Sequence, residues 1–556
     1  MKAYVEWNGG NPSVVVDQRP IPEMAYITYR PEENRYDSFA DAGVKLYSVN
    51  LNFSEMPINE RAPVLVFQKG IFEGETPDFS IVDRNFGEIL SACPDAYIFP
   101  RVNVNLPRAW EEAHPDELCE KGFGDRTRFS YASDLWIEEV KDKLCQLIRY
   151  IEDQPYADRV IGYQLAAGNT EEWLAIDPQS GWGLRAKEKF LAYCERTGEG
   201  KNEGSYYRFM SELVASRIVD LAALVKELTS RRKLVGFFYG YTMYVKRNQC
   251  HNALKTVLSC DDVDFLCSPL CYADLRVPGI DLYPMIPVAS VRHHGKVYFS
   301  ENDLRTHLSR AIHSHPNYTS PIWFGPEPSL ATEQLKLGFC RAMLHGYGMW
   351  WFDMWGGWYD DPRYMDLMKR MAELCEGGMD VPDSEIAVYV DESAMTETDD
   401  THLPDAMRAL GLCGVSYDAY LASDFEDTFR SYRACILVEP VTTSLSDACV
   451  ARSAEASVPL LRIQSNDVTA ESLRGWLTSV GVAPSASRRA VVYRGKKYLT
   501  LYTAEEGEYD FCDGECHTFV DLFSGETVSF PADLPKGKFY LFERMNVEVR
   551  PSEKKD

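Results

Sequence analysis

Between about residues 20 and 375 the chain repeats one pattern: a short apolar run, then a longer stretch whose apolar residues recur every three or four positions. Short strands alternating with amphipathic helices bury their apolar faces best when the strands run parallel, as an open α/β sheet or a closed barrel. Eight such runs are present, at residues 24–29, 44–50, 96–105, 160–173, 234–241, 263–269, 296–306 and 348–358. Between the third and fourth, Ser133 is placed as a helix N-cap, and Ile137, Val140, Leu144, Leu147, Ile148 and Ile151 form the stripe of a helix buried on one side. A second stripe runs through Leu213, Ile218, Leu221, Leu224, Val225 and Leu228. A helix over about 332–345 should stop at Gly346. Eight strands with helices between them predict a (β/α)8 TIM barrel spanning residues 1–380.

The pattern then changes twice. Strands at 385–390, 434–438 and 458–463, with helices near 404–412 and 470–480, predict a small open α/β domain over 381–487. From 488 to 556, short strands at 490–493, 498–502, 518–523 and 539–543 separated by glycines predict a compact antiparallel β domain with a disordered tail. A chain of 556 residues is long enough for three such units.

A net charge of −26 disfavours nucleic acid or an anionic membrane surface as partner. No apolar run is long enough to span a bilayer, and the N-terminus has no apolar leader, so a cytoplasmic location is expected. The 15 cysteines are scattered and read as free thiols in a reducing compartment. Cys267 and Cys271, like Cys512 and Cys516, lack a second pair at zinc-site spacing, and His293, His294, His313 and His315 read as loop residues, so no metal is expected. A P-loop, a dinucleotide fingerprint, an H-E-x-x-H helix and a nucleophile elbow are all missing, and no cofactor is expected.

The chemistry is concentrated at strand ends. The seventh apolar run feeds into Glu301, Asp303 and Arg305, and the fourth into Asn169, Glu171 and Glu172. A barrel presents such residues together at its C-terminal rim. Paired carboxylates there suit glycosidic cleavage, one protonating the leaving oxygen while the other attacks or activates water. Arg101 and Arg305 are candidates for pairing with the acids, Asn169 for a sugar hydroxyl, and Asn103 for the polar end of the third strand. Tyr241, Tyr272, Trp355 and Trp358 are candidate sugar-facing aromatics, the last two because Gly356 and Gly357 suggest an exposed loop.

The chain resembles retaining glycoside hydrolases of clan A, and more narrowly the family 42 β-galactosidases and family 164 β-mannosidases. The resemblance rests on residues 299–306 around Glu301, on residues 386–393 and 415–421, and on the three-domain order. It implies a flavodoxin-like trimerisation domain in the middle, Glu301 as nucleophile, and a retaining exo-β-glycosidase acting on terminal β-galactosides or β-mannosides. One departure stands out. The clan has Asn directly before the acid/base Glu, whereas Thr170 here separates Asn169 from Glu171 and Glu172. The acid/base is therefore Glu172 or Glu171, with Glu172 preferred because Trp173 could desolvate it. The same departure motivates the alternative, a catalytically inactive carbohydrate-binding barrel.

Overall fold

The computed structural model describes residues 1–55, 69–119, 129–168, 171–175, 183–244, 247–272, 276–309, 325–399 and 402–544. At its centre is a closed parallel barrel. Its strands are β1 (Met24–Ile27), β2 in two segments (Leu46–Tyr47, Asn50–Asn52), β3 likewise (Tyr97–Ile98, Arg101–Asn103), β4 (Gly162–Ala166), β5 (Leu234–Phe237), β6 (Phe265–Pro269), β7 (Val297–Asn302) and β8 (Gly348–Phe352). Each strand pairs in parallel with the next. β8 then returns to β1, with Met349 opposite Met24 and Phe352 opposite Ile27, which closes the ring. These are the eight strands expected from the sequence. β1 and β4 to β8 are buried along their whole length, and β2 and β3 nearly so, which is why they read as continuous apolar runs and not as alternating ones.

The barrel is filled by aromatic rings. Phe299 stacks against Phe99 at 5.6 Å and Trp350 at 6.2 Å, and Phe265 meets Phe99 at 5.9 Å. Small residues make the room: a Cβ on Gly236 would lie 2.2 Å from the Phe265 ring, and one on Gly348 would lie 2.7 Å from Phe299. On the outside, the Asp134–Glu152 helix starts as expected, with Ser133 accepting from the Trp136 N–H at 2.9 Å. The Pro328–His345 helix begins a turn earlier than expected, with Pro328 in its first turn, and ends at Gly346 in the left-handed region, φ 70°.

A three-stranded antiparallel sheet (Ala3–Asn8, Asn11–Val16, Arg19–Pro20) precedes the barrel and was not foreseen. It covers the N-terminal end of the ring. Ala3 donates to the carbonyl of Arg232 ahead of β5, and Asn11 occupies the space beside Gly346 ahead of β8. The other end of the barrel is left for chemistry.

After the barrel comes a four-stranded parallel sheet: β9 (Ile386–Val390), β10 (Tyr417–Leu421), β11 (Ala434–Val438) and β12 (Leu460–Ile463), in the order β10-β9-β11-β12. β10 and the Ser444–Ala456 helix add to the elements expected there. The final module is antiparallel, with strands Ala490–Val491, Tyr498–Thr503 and Phe539–Glu543 in one sheet. Two small hairpin-like pairs add strands at Gly507–Tyr509, Thr527–Ser529 and Ala532–Leu534 that were not anticipated. Among the described residues no helix is long and apolar enough to cross a membrane.

One buried polar cluster joins all three units. Arg341, on the Pro328–His345 helix, pairs with Asp281 in the loop after β6. Asp281 accepts from Tyr417 of β10 at 2.8 Å and from Tyr493 of the last module at 2.7 Å. Arg341 also donates to Tyr417 at 3.1 Å and to Tyr493 at 3.3 Å.

Candidate active site at the C-terminal end of the barrel

Arg101, at the end of β3, is the hub of the site. It is fully buried. Its guanidinium lies 4.5 Å from the Phe238 ring centroid and 5.3 Å from that of Trp350, with Phe352 and Tyr29 at 5.5 and 5.9 Å. Rings around the cation fix its plane and supply cation–π attraction without neutralising it. Neutralisation comes from two carboxylates. Nη2 is 3.3 Å from Glu301 Oε2, and Nη1 is 3.5 Å from Glu171 Oε2. The strand ends of β4 and β7, on opposite sides of the ring, therefore meet on one cation.

Glu301 belongs to β7, in register with Pro269 and Trp350. The Trp350 indole N–H donates to Oε2 at 3.4 Å, so both donors converge on that oxygen. Burial raises the Glu301 carboxyl above its ordinary range, Arg101 opposes the rise, and the charges of Asp303 and Glu172 add to it. Charge pairing with Arg101 was expected to hold the acid ionised; desolvation outweighs it. Asp303 behaves in the opposite way. It is paired with Arg276, with Arg305 at 2.6 Å and with the Tyr272 hydroxyl at 3.1 Å, and these cations hold it below the usual carboxylate range despite full burial. Arg305 is thus a partner of Asp303.

The two adjacent glutamates after β4 part company. The turn begins at Gly168, φ 75°, where a Cβ would lie 2.4 Å from the Tyr131 hydroxyl. Asn105 clamps it by accepting from the Gly168 N–H at 2.8 Å and donating to its carbonyl at 3.0 Å. Glu171 and Trp173 both take positive φ, 69° and 57°, unusual for residues with side chains. Glu171 ends fully buried, 0% exposed, accepting from Asn50 Nδ2 at 2.9 and 3.0 Å and from Asn103 Nδ2 at 3.0 Å. Burial raises its carboxyl, with Arg101 and the two amides opposing. Glu172 is half-buried. Its charge is felt by Glu301, Tyr29 and Tyr241, which places it at the same mouth.

Several expectations are corrected. Trp173 does not desolvate Glu172: its indole turns into the core, donating to the Leu165 carbonyl at 2.9 Å and lying near Tyr131 and Phe237. Trp358 is no exposed platform. It is 0% exposed under the Arg305 guanidinium, and Asp353 accepts its backbone N–H at 2.8 Å, pulling the glycine loop inward. Trp355 is also buried, but its ring lies 5.9 Å from Tyr29, which borders the carboxylates. Asn169 lies outside the described residues. Tyr241 and Tyr272 both lie within reach of the Glu301 charge. Sequence reasoning passed over Tyr29, Asn50 and Trp350 as site residues, although each sits in a strand or at its end, the position that singled out Glu301. Arg276, in the loop after β6, was passed over as well. Among the described residues no group of three or more His, Cys, Asp or Glu side chains gathers as metal ligands do, and all the cysteines are free thiols.

No family model and no curated protein sequence matches the chain. Solved structures do. A β-galactosidase from the psychrophilic Marinomonas ef1 superposes with a TM-score of 0.62 at 11% identity, covering 94% of this chain and 100% of that one. A catalytic mutant of a family 42 β-galactosidase from G. stearothermophilus gives 0.62 at 9% identity, over 94% and 98%. A family 42 exo-carrageenase from Bacteroides ovatus gives 0.57 at 12% identity, over 98% and 84%. The fold is thus that of the family 42 glycoside hydrolases, shared over nearly the whole chain and therefore including the modules after the barrel. At these identities the likeness is one of fold.

Proposed function

We propose that the protein is a retaining exo-β-glycosidase that hydrolyses terminal β-galactosides or β-mannosides by double displacement. The observation that supports this reading is that Glu172, after β4, stands close enough for its charge to act on Glu301 at the end of β7, with Tyr241 beside both at the open end of the barrel. With Trp350 and Arg101 both on Oε2, Glu301 Oε1 is the oxygen suited to attack the anomeric carbon. As that bond forms, the glycosidic C–O bond breaks and its oxygen takes the Glu172 proton. Glu172, now a carboxylate, removes a proton from water, whose oxygen displaces Glu301 and restores both acids. Glu172 is chosen over Glu171 because it is half-buried at the mouth and Glu171 is sealed among donors. Tyr29, Tyr241, Tyr272 and Trp355 supply aromatic wall around the acids, and Asn103 and Asp303 act through the residues they hold.

The test is turnover of nitrophenyl β-galactoside, β-mannoside, β-glucoside and β-fucoside. Wild type should cleave at least one of the first two. Glu301→Ala should lose activity by about a thousandfold or more. Glu172→Ala should lose about 10²–10⁴-fold on poor leaving groups and much less on an activated one, with azide restoring turnover as a β-glycosyl azide. Because burial holds the Glu301 proton, the acid limb of kcat/KM should lie above the ordinary carboxylate range. Full activity in Glu301→Ala would remove this assignment. Sugar binding without turnover on any glycoside would point to the inactive barrel.

A further inference from the structure

A second glutamate beside the proton donor has no place in double displacement, yet Glu171 is among the most completely enclosed acids of the molecule. We propose that Glu171 is a positioning residue: a buried anion that shares the Arg101 guanidinium with Glu301 and so sets how tightly the nucleophile is paired. This rests on the glycosidase reading and deepens it.

The geometry is a chain of contacts across the barrel. Asn50 on β2 and Asn103 on β3 donate to Glu171, Glu171 forms an ion pair with Arg101 Nη1 at 3.5 Å, and Arg101 Nη2 donates to Glu301 at 3.3 Å. Asn50, Asn103 and Arg101 all turn N–H groups toward Glu171, and the Tyr29 hydroxyl stands near enough to feel its charge and that of Glu301; N–H groups suit a carboxylate and not a carboxylic acid. Arg101 is enclosed by Phe238 and Trp350, so it is not free to swing toward either acid, and each carboxylate gets one terminal nitrogen. The cation cannot lose its proton. If Glu171 were neutral, the whole of its charge would fall on Glu301, which would ionise more readily and attack less strongly. The backbone supports a selected conformation. Positive φ at Glu171 is strained for a residue with a side chain and persists only where the surroundings enforce it.

The test is the pH profile of kcat/KM for Glu171→Gln and Glu171→Asp on whichever aryl glycoside wild type cleaves. In Glu171→Gln the acid limb should move down by about one pH unit, with the basic limb in place, KM little changed and no rescue by azide. Glu171→Asp keeps the charge, so its acid limb should stay near the wild-type position even with kcat reduced. Loss of the basic limb with azide rescue would make Glu171 the proton donor and overturn the proposal. Limbs that do not move in Glu171→Gln would reduce it to packing and overturn it as well. If Glu171→Gln does not fold, crystal structures of wild type at about pH 5 and about pH 9 decide. Arg101 should keep its Glu171 contact at both pH values while the Glu301 contact tightens at the higher one; loss of the Glu171 contact at high pH would refute the sharing. That readout needs no turnover, so it stands apart from failure of the glycosidase reading.

Discussion

Glu23, just ahead of β1, shows at the scale of one side chain what burial does to acids in this barrel. It is enclosed, accepts the Val14 N–H at 2.6 Å, and burial pushes its carboxyl up to about 7. An acid raised on folding contributes stability below its unfolded pKa, and this is lost as pH rises through the folded one. Glu23→Gln should therefore gain on wild type between about pH 5 and about pH 8, approaching about 3 kcal/mol at the upper end, as read by chemical denaturation at both pH values. The catalytic acids were only partly legible at this scale. Glu301 could be found because it continues a strand that buries every residue, so its placement followed from the strand. Glu171 and Glu172 could not be told apart. The choice depends on backbone angles in a turn set by Gly168, Asn105 and Tyr131, two of them far away in sequence.

At the scale of elements, the barrel strands were readable because a parallel strand buried on both faces is a continuous apolar run. The first strand of the N-terminal sheet and the strands Gly507–Tyr509, Thr527–Ser529 and Ala532–Leu534 of the last module were missed because their exposed residues interrupt the apolar signal. β10 was missed for a related reason, since Asp418 breaks its apolar run and pairs with Arg292 of the barrel at 3.6 Å. What the sequence pattern does not display is how neighbouring strands share volume. Gly236 on β5 gives its space to Phe265 on β6, which packs against Phe99 and Phe299 inside the barrel. Gly236→Ala should cost about 1–3 kcal/mol by forcing that ring aside. Thermal unfolding should show the loss, and a Gly236→Ala protein as stable as wild type would mean the strands yield more easily than their packing suggests.

For the whole molecule, the Arg341–Asp281 pair is where three units are tied together, and no local pattern announces it, because its members come from residues 281, 341, 417 and 493. Asp281→Ala would leave Arg341 buried without its counter-charge and remove the shared acceptor of two tyrosines. It should destabilise by about 3–5 kcal/mol and split a single unfolding transition into separate ones; one unshifted transition in differential scanning calorimetry would count against this. The ring itself imposes an order on biosynthesis. Met24 finds its partner only in Met349, so a nascent chain leaving the ribosome carries two unpaired sheet edges until most of it has been translated. The protein is thus most exposed to aggregation during its own synthesis, and slowing elongation ahead of residue 348 should lower soluble yield without changing the finished product.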